Sequence, residues 1–310
     1  MSKVTVVGAG NVGSNTARRI AEKDLADEVV MTDIVEGLPQ GLALDINQSA
    51  PIEGFGANVI GTNDYADTAG SDVAVITAGL PRKPGMSRMD LLDKNAEIVA
   101  GVTEELARYS PDAIVIVVSN PLDEMTYLAS VVSGFPKHRV MGMAGVLDSS
   151  RLRFFVAEKL GVPPTSVEAM ALGSHGDQMV ALPRHATVQG KPLPELVDGQ
   201  MLEELFARTR DAGAEIVGYL KKGSAFYAPS SSAAAMVNSI LANAGDVHPT
   251  CAWTTGQYGV SDVYLGVPAK LGRQGVTEVV ELDLNEDELS QLRTAADAIR
   301  AKCDELAARR

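Results

Sequence analysis

The sequence predicts an α/β protein: a doubly wound parallel sheet over residues 1–145, followed by an α+β region over residues 146–310. Three observations carry this. Short, nearly continuous apolar runs alternate with helical patterns through the first half, as expected for parallel strands covered on both faces. The first run ends in the glycine cluster GAGNVG, which opens a helix. After about residue 146 the rhythm gives way to short pieces punctuated by glycine and proline. A length of 310 residues also suits two domains, since soluble domains run roughly 100–200 residues each.

In order along the chain, KVTVVGAG reads as a strand ending in glycines and NVGSNTARRIAEKD as the helix after it. EVVMTDI is a second strand and GLPQGLALDINQSA a helical stretch, with apolar surface suited to a core or a subunit interface. ANVIGT, DVAVITAG and AIVIVVSNP are further strands, with the long helix MDLLDKNAEIVAGVTEELARYS between the last two. Both of those strands end in small or polar residues, where such sheets place their ligands. Beyond them, SSRLRFFVAEKLG is a helix leading into SVEAMALGSHG. The QGK and GRQG turns, in HATVQGKPLPEL and KLGRQGVTEVVEL, predict antiparallel pairing. Two or three helices complete this half, the last starting near Asn285 as N-cap. Leu289, Leu292, Ala296, Ile299, Cys303 and Leu306 form its apolar face, which assigns Cys303 to packing. No linker separates the halves, so they are expected to share an interface, a favoured place for a ligand cleft.

Composition excludes several classes. A formal net charge of −13 and a pI near 4.8 argue against nucleic acid, which needs a basic footprint. No stretch approaches the ~18 consecutive apolar residues of a membrane span, and MSKVTVVGAG is unlike a signal peptide, so no membrane partner and a cytoplasmic location are expected. The two cysteines, Cys251 and Cys303, are too few for a disulfide framework and form no ligand motif with a histidine, so no metal is expected.

Gly8, Ala9, Gly10, Asn11, Val12 and Gly13 match G-x-G-x-x-G just after the first strand, and Asp33 ends the next strand. This is the Rossmann dinucleotide fingerprint in its proper context: a tight turn at Gly8, close approach to pyrophosphate at Gly10, close helix packing at Gly13. The helix N-terminus supplies amide donors and the positive end of its dipole. Asp33 accepts from both ribose hydroxyls and repels a 2′-phosphate, favouring NAD over NADP.

Of the four histidines, His138 and His185 read as surface or structural, and His248, before a proline, as a turn. His175 differs, lying in the polar, glycine-flanked GSHGD after an apolar run. A nicotinamide enzyme acting on an alcohol needs a group that titrates near neutrality. Asp148 and Arg151 in LDSSR are spaced i, i+3 and project together from a helix start. Taken alone, Asp148 is equally an N-cap, Arg151 a solvated helix residue, and Asn120 in SNP a turn residue.

GAGNVG, Asp33, PRKPGMSR, VVSNP, LDSSR and GSHGD occur in the order seen in the lactate/malate dehydrogenases. The chain resembles that family over essentially its whole length, and most closely its malate-oxidising members built on the lactate-dehydrogenase-like framework. The resemblance implies a Rossmann domain followed by a substrate domain, and NAD-dependent interconversion of malate and oxaloacetate, a reaction of the tricarboxylic acid cycle. It makes His175 the proton acceptor, oriented by Asp148, with Arg151 holding the C1 carboxylate and Arg88 polarising the carbonyl oxygen. Asn120 sits beside substrate and nicotinamide, and Asn95, Val118 and Ser119 match further cofactor-binding positions. A homo-dimer or homo-tetramer is implied as well.

PRKPGMSR carries three basic side chains and no acidic one. Arg82 and Arg88 read as residues of one loop suited to closing over substrate. Where lactate-specific relatives usually have glutamine, this chain has Arg82, whose buried charge calls for a second substrate carboxylate. Lys83 is its immediate neighbour, and the KPG that follows favours Arg82 as the selector. A lactate dehydrogenase is the nearest rival. An NAD-dependent glycoside hydrolase would need cysteine and histidine metal ligands and leave LDSSR and GSHGD unexplained, and a non-catalytic NAD sensor would bind NAD without turnover.

Overall fold

The computed structural model describes residues 1–80 and 88–309, with only the backbone of Arg88 and Asp90. The first half comprises β1 (Lys3–Val7), α1 (Asn11–Glu22), β2 (Glu28–Thr32), α2 (Leu38–Glu53), β3 (Asn58–Thr62), β4 (Val73–Ile76), α3 (Arg88–Tyr109), β5 (Ile114–Val117), α4 (Leu122–Ser133) and β6 (Val140–Gly142). The six strands are parallel in the order β3-β2-β1-β4-β5-β6. Their β-branched side chains fill both faces: Val4, Val6, Val73, Val75, Ile76, Val115 and Ile116 are fully buried. Strand order reverses between β1 and β4, and the crevice beyond their C-terminal ends is where this topology accepts a dinucleotide.

The second half contains α5 (Gly145–Leu160), β7 (Val167–Glu168), β8 (Ala171–Gly173), β9 (Met179–Ala181), β10 (Thr187–Val188), β11 (Lys191–Pro192), α6 (Gly199–Leu220), α7 (Tyr227–Leu241), β12 (Val247–Thr255), β13 (Ser261–Gly272), β14 (Gly275–Val279) and α8 (Glu286–Ala308). The expected turns are present: Gln189 and Gly190 join β10 to β11, and Arg273 and Gln274 join β13 to β14. Asn285 closes a capping box with Glu288 at the head of α8, and Leu292, Ala296, Ile299, Cys303 and Leu306 are buried on its inner face.

The long hairpin of β12 and β13 was not evident from the sequence, and it corrects the reading of His248, which belongs to β12 rather than to a turn. Pro249 pairs opposite Pro268, so the two missing backbone donors fall against each other and the ladder tolerates both. β12 joins β6 at the pair Cys251↔Gly142, and β13 joins β8 at Gly266↔Gly173. One sheet therefore runs from the parallel half into the antiparallel half, setting the ends of β4, β5 and β8 around a common cleft. α7 packs along α1, where Ser230 Oγ donates to the Val12 carbonyl at 2.9 Å. Among the described residues no helix is long and apolar enough to cross a membrane.

Candidate active site

The glycine loop has the shape a dinucleotide requires. Gly8 has φ +100°, and a Cβ there would lie 2.8 Å from Thr77 Oγ1. A Cβ at Gly13 would stand 1.7 Å from the Gly8 carbonyl oxygen, a distance only glycine allows. At Gly10 the same construction meets nothing within 4 Å, so the backbone is open to a close-approaching phosphate. α1 starts at Asn11 with Gly10 as N-cap and no side-chain cap, which leaves its first amides for an anion. Ala9 is buried beneath the loop, while Asn11 is exposed and Val12 half-buried.

Asp33 follows β2 with its carboxylate fixed: Oδ2 accepts from the Ala9 amide at 2.6 Å and Oδ1 from the Val35 amide at 2.9 Å. Each oxygen keeps a lone pair for a ribose hydroxyl. The residues present therefore fit NAD.

Beyond β4 and β5, side chains tie loop backbones together. Ser119 Oγ donates to the Ala78 carbonyl at 2.6 Å, and the Val118 amide to the Ile76 carbonyl at 2.8 Å. Asn95 is buried on α3; its Oδ1 accepts from the Leu80 amide at 2.8 Å and its Nδ2 donates to the Asn120 carbonyl at 2.6 Å. Its amide is spent on these two backbones, so it shapes the cleft through Leu80 and Asn120. The Asn120 side chain is exposed at the cleft.

Asp148 and Arg151 project together as their spacing predicts, and His175 joins them as the family resemblance implies. Asp148 lies in the first turn of α5, whose N-cap is Ala144, so the N-cap alternative is excluded. His175 Nδ1 stands 2.9 Å from Asp148 Oδ2, and Arg151 Nη1 3.6 Å from Asp148 Oδ1. Burial alone would lower the imidazole pKa, but the charge and hydrogen bond of Asp148, helped by Asp123, raise it above the ordinary histidine value. Burial outweighs Asp148 at Arg151 and lowers its pKa. The Arg151 Nε is buried without a partner among the described residues, so the guanidinium retains donors for an anion.

A cleft of about 560 Å³ opens over this cluster, lined by Asn120, Ser174 and His175 together with Leu92, Glu124 and Lys302. The other histidines do not line it: His138 is exposed, His185 Nε2 meets the Asp283 carbonyl at 2.9 Å, and His248 Nε2 meets Ser239 Oγ at 2.8 Å. Arg82 lies outside the described residues. Arg88, expected on the same loop, is the first residue of α3. Sequence reading also missed Asp123, whose carboxylate reaches the His175 loop; its only local signal was a place three residues after Asn120.

Residues 2–142 match the family model of the lactate/malate dehydrogenase NAD-binding domain, and residues 145–309 that of the lactate/malate dehydrogenase alpha/beta C-terminal domain. A malate dehydrogenase of Salinibacter ruber is 55% identical over 304 residues, 98% of this chain and 96% of the relative. The crystal structure of Cryptosporidium parvum malate dehydrogenase superposes with a TM-score of 0.96 at 41% identity, covering 99% of each chain. A lactate dehydrogenase of the same organism, complexed with lactic acid and nicotinamide adenine dinucleotide, gives a TM-score of 0.95 at 41% identity over 99% of this chain and 98% of that one. This chain belongs to the lactate/malate dehydrogenase family.

Proposed function

We infer that this chain, an NAD-dependent oxidoreductase, interconverts malate and oxaloacetate with His175 as the proton acceptor and donor. One observation carries His175: Asp148 holds its Nδ1 at 2.9 Å beside the cleft. A carboxylate at Nδ1 keeps the proton on that nitrogen and leaves Nε2 to take one from the malate hydroxyl. The imidazolium so formed is stabilised by Asp148. In the reverse direction it returns the proton to the oxygen of the reduced carbonyl.

Arg151 binds the C1 carboxylate, because a guanidinium offers two parallel donors to a planar anion. Arg88 meets the charge that develops on the carbonyl oxygen, and Arg82 pairs with the second carboxylate of the substrate. Gly8, Ala9, Gly10, Asn11, Val12 and Gly13 cradle the pyrophosphate and Asp33 the ribose, while Asn95, Val118 and Ser119 belong to the cofactor site and Asn120 sits beside substrate and nicotinamide. Bound NAD supplies the hydride acceptor for C2 of malate. In this division residues 1–145 hold the cofactor and residues 146–310 hold the substrate and its proton.

The enzyme works as a cytoplasmic homo-dimer or homo-tetramer in the tricarboxylic acid cycle; the exposed Leu44 and Ile52 on α2 support assembly, because apolar side chains grouped on one helix favour cover by a partner.

NADH oxidation followed by absorbance, with oxaloacetate and with pyruvate, tests the reading. A large kcat/KM advantage for oxaloacetate is expected, and a preference for pyruvate would overturn the substrate assignment. His175→Ala is expected to lower kcat roughly 10²–10⁴-fold while NADH still binds. Near-normal turnover of that variant would remove His175 as the base.

A further inference from the structure

We propose that Asp123 is a second positioning residue for His175, holding the backbone of the catalytic loop from α4 and setting a buried carboxylate charge beside the ring, while Asp148 holds the ring from α5. The inference rests on the reading of His175 as proton acceptor and extends it to a residue with no side-chain atom on the ring.

Asp123 sits in the first turn of α4 and is 3% exposed. Its Oδ2 accepts from Ser174 Oγ at 2.7 Å and from the His175 amide at 3.2 Å. The Cys251 thiol, from β12, lies against the same carboxylate. Oδ1 has no N–H or O–H donor among the described residues. Burial pushes the Asp123 carboxyl pKa up against these hydrogen bonds, so an ionised group here carries a desolvation cost. A brace alone does not need that charge, since an asparagine carbonyl would accept the same two bonds.

The charge has a use one bond further on. Two carboxylates, Asp148 and Asp123, favour the protonated ring, and Arg151 opposes them. Among the described residues, Glu124 from α4, Lys302 and Glu305 from α8, and Asp177 of the loop are the other charged groups that line the cleft with His175. On its other side Asp123 is faced by Cys251 and Cys303, both buried. Asp123 also joins two parts of the site. Asn120, three residues earlier, has its carbonyl held by Asn95, so the end of β5 and the loop after β8 are fixed to the same turn of backbone.

The test compares Asp123→Asn, Asp123→Ala and Ser174→Ala with the wild type and with His175→Ala. The readouts are the pH profile of kcat/KM for malate oxidation and the Kd of NADH by fluorescence. Asp123→Asn keeps an acceptor and removes the charge. Its rising limb, the loss of the His175 proton, is expected to move to lower pH. Asp123→Ala loses acceptor and charge, and its kcat is expected to fall at least about tenfold, equal to about 1.4 kcal/mol, with the NADH Kd unchanged. Ser174→Ala keeps the charge, so its limb should stay in place. An Asp123→Asn limb at the wild-type position would overturn the proposal, and this holds even if Asp123→Ala fails to fold. An active His175→Ala would overturn the role of His175 itself, a separate failure visible in a separate protein.

Discussion

His175 and Asp148 are joined at 2.9 Å between Nδ1 and Oδ2. Asp148 is buried while the His175 ring keeps 19% of its side-chain surface exposed. The carboxylate is thus inside, and part of the ring reaches the surface. The raised imidazole pKa gives the pH dependence a definite sign. With His175 as the proposed proton acceptor and donor, malate oxidation should need the neutral ring and increase as pH rises through that pKa, whereas oxaloacetate reduction should need the protonated ring and decline over the same interval.

Asp148→Asn removes the largest influence that holds the proton on His175. The imidazole pKa should fall, moving the rising limb of malate oxidation and the falling limb of oxaloacetate reduction to lower pH together. An asparagine can also present its NH₂ to Nδ1 and place the ring proton on the wrong nitrogen, so kcat should drop at least about tenfold, equal to about 1.4 kcal/mol. Steady-state kinetics from pH 5 to 10 in both directions decide this, and limbs moving in opposite directions would contradict it.

Arg151, beside Asp148, has a lowered pKa and a buried Nε without a partner among the described residues, so its guanidinium keeps an N–H without an acceptor. Lysine in its place keeps the charge and loses the fork. Arg151→Lys should lower kcat/KM for oxaloacetate roughly 10- to 150-fold, the equivalent of about 1.5–3 kcal/mol for a charged hydrogen bond. NADH affinity, measured by fluorescence, should not change. A matching loss of NADH affinity would place Arg151 in the cofactor site instead.

What could be read from the sequence divides by physical range. The first five parallel strands were legible because each carries its own signal: buried on both faces, it is apolar along its length, and Gly13 marks a close contact with Gly8 within one strand–turn–helix unit; α4 and the three-residue β6 were not read. His175, Asp148 and Arg151 were legible as polar residues in local settings and through the family resemblance. β12 and β13 were hidden because Pro249 and Pro268 argue against strands one at a time, and only their pairing makes both acceptable. Asp123 was hidden for a similar reason. Its partners Ser174 and Cys251 lie far along the chain, and α4 alone gives no hint that its first turn meets β8.

The glycine loop offers a test independent of catalysis. At Gly13 an added Cβ would overlap the Gly8 carbonyl oxygen and come within 2.6 Å of Thr77 Oγ1. Gly13→Ala must therefore push α1 away from the loop, and α1 carries the amides assigned to pyrophosphate. NADH binding should weaken at least about tenfold, equal to about 1.4 kcal/mol, and thermal stability should fall. Gly10→Ala meets no protein atom within 4 Å, so it should fold normally and lose affinity only through the approach of the ligand. Calorimetric melting with and without NADH separates the two effects; equal thermal stability of both variants would contradict the packing role of Gly13.

The proposed role of Arg82 in PRKPGMSR makes substrate choice a test of its own. With Arg151 on the C1 carboxylate, as proposed, a dicarboxylate and a monocarboxylate both satisfy it, so selection falls to a cation that only the dicarboxylate can pair. Left opposite a methyl group in a closed site, a guanidinium keeps its desolvation cost without compensation. Arg82→Gln replaces that charge with a neutral group, and kcat/KM for oxaloacetate should fall while that for pyruvate rises. A change in their ratio of roughly 10²-fold or more corresponds to the loss of one charged pair, about 3 kcal/mol. Lys83→Gln is the matched control, because Lys83 has the same charge one position away. A larger change in Lys83→Gln would transfer the selector role to Lys83. No change in either variant would mean that malate is recognised from another wall of the cleft, where Lys302 on α8 would be the next cation to replace.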